Sequence, residues 1–178
     1  MSDRKALKET YLKILSELMK NSRVSDREVA RKLGISQPTV SRIRSRLSKE
    51  GYIKEYTIIP DFTRLGYSIM ALTFPKLKPL TREELMDARR ISLQDMLKGP
   101  SEIILFERGM GADSDGVIIS LHKDYTSYAK LLRRAKDYPF IESCETLLID
   151  LNDKIHYRSL TLSTFADRIL KPERKEPV

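Results

Sequence analysis

The feature that most constrains this chain is the helix punctuation between residues 25 and 51. Ser25 precedes Asp26-Arg27-Glu28. A capping hydroxyl followed by a glutamate at the third helical position is the capping-box pattern. Val29, Ala30 and Leu33 then fall on one inward face, and Gly34 stops the helix. Ser36 opens the next helix, with Pro38 tolerated in its first turn, and this helix runs to about Glu50, where Gly51 ends it. Upstream, Leu7, Tyr11, Ile14, Leu15 and Leu18 repeat at helical spacing over residues 4–20, closed by Asn21 and Ser22. The pattern predicts short helices joined by tight turns.

Two short helices linked by Gly34-Ile35-Ser36 match the helix-turn-helix, whose second helix enters the major groove of DNA. At about 100° per residue, Val40, Ile43 and Leu47 form one narrow stripe that must pack on the preceding helices. The opposite face carries Pro38, Ser41, Arg42, Ser45 and Lys49, with Gln37 on one shoulder and Arg46 on the other. Small hydroxyls let a helix approach bases closely. Arginine can make two hydrogen bonds to a guanine edge, and glutamine can do the same to adenine. Arg44 lies nearer the buried stripe and is expected to reach sideways to phosphate. The candidate DNA-binding set is Ser36, Gln37, Pro38, Thr39, Ser41, Arg42, Arg44, Ser45, Arg46 and Lys49. Tyr52 to Ile59 is rich in Tyr, Ile and Thr and reads as a strand placed as a wing would be.

Charge supports this assignment. The net charge is +8, with 33 Lys+Arg against 25 Asp+Glu; residues 1–60 hold 14 and 7 of these, leaving 19 and 18 for the remainder. The excess positive charge therefore sits in the segment expected to face a polyanion. Cys144 is the single cysteine. It cannot form an internal disulfide, which fits a reducing compartment, and it reads as a small core residue. The charged start, Met1 to Glu9, does not resemble a signal peptide, and no apolar run approaches the roughly 20 residues of a membrane span. A cytoplasmic location is expected, with no membrane partner.

Pro60-Asp61 breaks the strand pattern, and 61–66 reads as a hinge between a DNA-binding domain over 1–60 and a second domain over 67–170. The second domain is predicted as strand Tyr67–Phe74, helix Thr81–Lys98 capped by Thr81, strand Glu102–Phe106, loop Gly109–Asp115, strand Val117–His122, helix Tyr125–Lys136 and strand Ile141–Ile149. An extra strand, Ile155–Leu162, and a short helix, Thr164–Leu170, follow; the charged tail 171–178 is expected to be disordered. The fold class is α+β: a winged helix-turn-helix followed by a ferredoxin-like βαββαβ domain. Such a sheet has two helices on one face, and an apolar bare face commonly pairs with a partner subunit.

The run from Asp26 to Leu47, continuing Glu50-Gly51-Tyr52-Ile53-Lys54-Glu55-Tyr56-Thr57, resembles the Lrp/AsnC (leucine-responsive, feast/famine) transcription regulators. The resemblance is dense from about residue 9 to 75, and Asp61–Gly66 resembles that family's hinge. Beyond, the βαββαβ order matches the family's effector-binding domain. The resemblance implies a homodimer through the C-terminal sheets, often assembled into higher oligomers. It also implies an amino acid or similar small effector near the loop joining the second and third strands. Gly111, Asp113 and Asp115 are the candidate effector-binding residues there, on a loop where Ala112 stands in place of the family's common glycine.

Other chemistry finds less support. The glycine-rich loop lacks both GxGxxG spacing and the Walker Lys-Ser/Thr, and it joins two strands. Asp113-Ser114-Asp115-Gly116 places its glycine too early for a calcium loop. His122 and His156 are isolated and do not form a metal site by spacing. No metal, cofactor or catalytic residue is expected. Some relatives of the family look like sirohaem decarboxylases, and His122 and His156 are the candidates under that alternative reading. A low-specificity architectural DNA-binding protein is the other alternative.

Overall fold

A computed structural model describes residues 8–97, 101–155 and 160–170, and the chain divides into two compact units, residues 1–60 with 157–178 and residues 61–156. Leu7 and the tail 171–178 lie outside the described residues.

The first unit opens with helices α1 (Glu9–Lys20), α2 (Asp26–Leu33) and α3 (Gln37–Lys49). The expected caps are present. Glu28 N donates to Ser25 Oγ (3.2 Å) while Ser25 N donates back to Glu28 Oε2 (3.0 Å), completing the capping box of α2. Ser36 Oγ accepts from Thr39 N at the start of α3, and Gly34 takes φ +66°, a conformation that costs a glycine nothing. Ile14, Leu18, Val24, Val29, Ala30, Val40, Ile43 and Leu47 form the buried core, with Tyr11, Leu15, Leu33, Ile35 and Ile53 packed around it.

The strand expected over Tyr52–Ile59 does not form: these residues join no ladder among the described residues. An extended segment becomes a strand only with a partner, and none lies beside it among the described residues. The segment is held by other means. Tyr52 N and Ile53 N both donate to Leu47 O (2.9 and 3.1 Å), and Ser22 Oγ donates to Thr57 O (3.4 Å).

The second unit is β1 (Ile69–Leu77), α4 (Arg82–Leu97), β2 (Ile103–Gly111), β3 (Ser114–His122), α5 (Tyr125–Lys136) and β4 (Ile141–Asp150). The strands form one antiparallel sheet in the order β2-β3-β1-β4, which is the ferredoxin-like arrangement for this element order. Thr81 caps α4 in a second capping box, since Glu84 N donates to Thr81 Oγ1 and Thr81 N donates to Glu84 Oε2. Registers Leu72↔Ile119, Leu72↔Leu147, Met70↔Ile149 and Leu105↔Ile119 gather these apolar side chains on one face of the sheet. Leu105, Leu147 and Ile149 are exposed there. The other face, with Thr73, Pro75 and Ile118, looks towards α4 and α5.

Three further expectations are corrected. Residues 109–115 are not a loop: β2 runs through Gly111, β3 restarts at Ser114, and only Ala112 and Asp113 form the turn, both at φ +49°. Positive φ at both central residues matches the right-handed twist of a two-residue hairpin. The glycines that looked like loop formers sit in the strands, and Gly116 allows close approach, since a Cβ there would lie 2.8 Å from Glu107 O. The extra strand Ile155–Leu162 is absent where the chain is described: Ile155 and 160–162 join no ladder, and 156–159, with His156, lie outside the described residues. The last helix among the described residues is α6 (Ser163–Ala166), followed by a 3-10 turn Arg168–Leu170. It packs on α1 in the first unit, where the sequence reading placed it in the second domain. Ala166 is fully buried there and Asp167 Oδ1 pairs with Lys20 Nζ at 2.6 Å.

Candidate nucleic-acid interface

The interface is built outward from the buried stripe of α3. Val40, Ile43 and Leu47 are all buried. Helical periodicity then turns residues between them outward. Ser36, Gln37, Pro38, Ser41, Arg42, Ser45, Arg46 and Lys49 are exposed, while Thr39 and Arg44 are half-buried. Ser36 and Thr39 share a hydroxyl–hydroxyl hydrogen bond of 2.8 Å, which organises the N-terminus of α3. A helix N-terminus presents backbone N–H groups and a partial positive charge, suited to a phosphate.

The arginines divide into different roles. Arg42 is exposed and has no ion-pair or hydrogen-bond partner among the described residues. Arg46 hydrogen-bonds Glu50 Oε1 through Nε and Tyr11 Oη through Nη1 (3.3 Å), and its guanidinium lies 5.7 Å from the Tyr11 ring centre. Glu50 beside it favours its charged form. Arg44 differs most from expectation. Its Nη1 meets Asp26 Oδ1 at 2.7 Å, Nη2 donates to Ser22 O and Val24 O (3.3 and 3.4 Å), and Nε donates to Tyr56 Oη (3.3 Å). Expected to reach sideways to phosphate, Arg44 instead locks α3 to the α1–α2 turn and to the segment after α3. Its position beside the buried stripe was legible; its partners, Asp26 and Tyr56, were not singled out, though acidic Asp26 in the first turn of α2 was a visible signal.

A helix-turn-helix is also what comparison with known proteins finds. The winged helix-turn-helix DNA-binding family model matches residues 7–54. Over 140 residues the chain is 33% identical to the HTH-type transcriptional regulator Ptr1 of Methanocaldococcus jannaschii, covering 78% of this chain and 88% of Ptr1. The chain belongs to the Lrp/AsnC family. It is a DNA-binding transcriptional regulator. Its fold is that of Bacillus subtilis LrpC, at TM-score 0.65 and 24% identity over 86% of this chain and 99% of LrpC. It is also that of the Neisseria meningitidis regulator NMB0573, solved as an L-Met complex, at TM-score 0.71 and 18% identity over 90% of this chain and 99% of that one.

The candidate effector residues of this regulator lie together at the β2–β3 turn. Asp113 is exposed at its tip and forms an ion pair with Lys76 of β1, which favours the charged lysine. Asp115 Oδ2 accepts from Leu77 N at 2.8 Å. Ser114 Oγ donates to Pro75 O (3.1 Å) and Gly116 O (2.8 Å). Gly111, at φ +134°, ends β2 beside them. These bonds staple the hairpin to the end of β1, and Lys76 is the member of the cluster that sequence reasoning missed.

His122 offers no reactive nitrogen to solvent. It is fully buried, with Nε2 at 2.8 Å from Ser120 Oγ and its ring edge-on to Tyr128. Burial holds the imidazole below its ordinary range, against the opposing pull of Glu102 and Asp124. No group of three or more His, Cys, Asp or Glu side chains suited to a metal occurs among the described residues. No described helix is long and apolar enough to cross a membrane.

Proposed function

We propose that this regulator reads DNA in the cytoplasm as a homodimer or higher homo-oligomer, with α3 of each subunit in a major groove, and responds to an amino acid or similar small effector. The observation that carries the reading is Arg42, an exposed guanidinium on the outward face of α3 with no partner among the described residues. Arg42 would bond a guanine edge and Gln37 an adenine, with Ser41 and Ser45 small enough to let the helix close on the bases. Ser36, Thr39 and the backbone around Pro38 would meet phosphate at the helix N-terminus, and Lys49 and Arg46 would meet it at the other end. Paired recognition helices would then sit about 34 Å apart on one DNA face, which calls for a palindromic or pseudo-palindromic site.

The open apolar face around Leu105, Leu147 and Ile149 supports pairing of sheets between subunits. The L-Met complex of the Neisseria relative supports an amino acid effector, with Gly111, Asp113 and Asp115 as its contacts. The test is fluorescence anisotropy with the protein's own upstream DNA and a scrambled duplex at several salt concentrations. A large preference for the upstream duplex with a steep salt slope is expected. Equal binding to both would move the protein to an architectural role, and no binding to either would overturn the reading.

A further inference from the structure

The three arginines of α3 differ in how firmly each is held before DNA arrives. Arg42 is bonded by no described residue, and Arg44 uses Nε, Nη1 and Nη2 on partners within the protein. Arg46 lies between these extremes. A guanidinium carries five N–H donors in one plane. Arg46 gives the Nε donor to Glu50 Oε1 and one Nη1 donor to Tyr11 Oη at 3.3 Å. Its other three donors are bonded by no described residue, and its side chain is 59% exposed.

The two partners hold Arg46 differently. Glu50 lies four residues further along the chain, and an exposed ion pair of this kind fixes long side chains only loosely. Tyr11 comes from α1, is half-buried and packs on the core of the first unit. Its ring centre is 5.7 Å from Arg46 Cζ. Core packing accounts for an aromatic ring at this position but not for its hydroxyl, which phenylalanine would lack without loss of packing. Ordering a long side chain at an interface lowers affinity by about two- to tenfold, a cost avoided when the side chain is already in place. An arginine held on one side, with donors left over, is suited to a two-bond contact with a phosphate.

We propose that Tyr11 is a positioning residue of the DNA interface, whose hydroxyl holds the Arg46 guanidinium in place for a backbone phosphate. This rests on the reading in which Arg46 meets phosphate. It makes α1 part of the DNA-binding machinery through a side chain that need not touch DNA itself.

The experiment is fluorescence anisotropy of the full chain with the upstream and the scrambled duplex over a salt series. Wild type, Tyr11→Phe, Arg46→Ala and the double variant are compared, with thermal melting alongside. Tyr11→Phe should weaken binding to both duplexes alike, by about two- to fivefold, because phosphate carries no sequence. Its salt slope should stay that of the wild type, since no charge is lost, whereas Arg46→Ala should reduce the slope by about one. Its Tm should move little, and in the Arg46→Ala background it should have no further effect on binding. Unchanged binding by Tyr11→Phe, where Arg46→Ala binds weakly, overturns the positioning role and leaves the Arg46 reading standing. Undiminished affinity and slope in Arg46→Ala overturn both. A Tyr11→Phe loss of equal size in both backgrounds, or one that follows a fallen Tm, assigns the hydroxyl another role and also overturns the proposal.

Discussion

Arg44 Nη1 lies 2.7 Å from Asp26 Oδ1, and the two side chains are 23% and 21% exposed. The pair joins α3 to the start of α2, and the same guanidinium reaches the carbonyls of Ser22 and Val24. Replacing Arg44 with Ala strands an acidic side chain and two carbonyls. We expect Arg44→Ala to lower stability by about 1–3 kcal/mol, since each lost partner leaves a half-buried polar group unsatisfied. Chemical denaturation measures it. The preference for specific over scrambled DNA should survive in the folded variant. A large loss of that preference with unchanged stability would return Arg44 to the DNA surface.

Arg42→Ala should do the opposite. Stability should hold within about 0.5 kcal/mol, as for exposed surface changes. Specific binding should weaken by about 1–3 kcal/mol, with scrambled DNA affected much less. Anisotropy on both duplexes at one salt concentration separates the two. An equal loss on each would show that Arg42 meets phosphate only.

Ser25→Ala removes the hydroxyl that caps α2 and frees Glu28 N. A loss of about 1 kcal/mol is expected. Asp at the same position should restore most of it, because a carboxylate can accept the same bond. Denaturant midpoints of the three proteins are the measurement, and no difference among them would remove the cap from the account.

Gly116→Ala drives a methyl group to within 2.8 Å of the Glu107 carbonyl oxygen, a backbone atom that can yield only by opening the β2–β3 ladder. A cost of about 1–3 kcal/mol is expected from overpacking. At Gly109 an added Cβ would meet nothing nearer than Gly116 Cα at 4.0 Å, so alanine should be tolerated better there. Comparing the two variants by thermal melting tests the register of the hairpin.

His122 sets a pH dependence. Burial lowers its folded pKa, so the unfolded chain takes the proton more readily than the folded one. Its contribution to stability is therefore constant above the ordinary imidazole value of about 6.5 and falls as the pH drops below it. Denaturation of the wild type and His122→Leu on either side of that value isolates the effect from carboxylate titration. The wild type should lose more stability on acidification than the variant, and parallel losses would refute the assignment.

The helix-turn-helix was legible because its signals are local. Ser25 with Glu28, Ser36 with Thr39, the turn at Gly34 and the stripe Val40-Ile43-Leu47 each involve residues within one or two helical turns. The same holds for the βαββαβ order, which follows from alternating periodicities and caps such as Thr81. The β2–β3 hairpin was misread because glycine marks loops and close strand approach alike, and only the position of Glu107 O against Gly116 separates the two.

What the sequence by itself determined was therefore the sequence of elements, the caps that start them and the outward face of α3. The tertiary structure decided which charged groups remain free. Arg42, Arg44 and Arg46 occupy one helix within two turns, yet Asp26 and Ser22 engage Arg44 from 18 and 22 positions away, and Tyr11 engages Arg46 from 35. The return of α6 to α1 and the bond from Leu77 N to Asp115 likewise join distant positions. A cap is settled by backbone geometry within a single turn, whereas an arginine's partner is settled by whichever carboxylate, carbonyl or ring the packed core brings within about 3 Å.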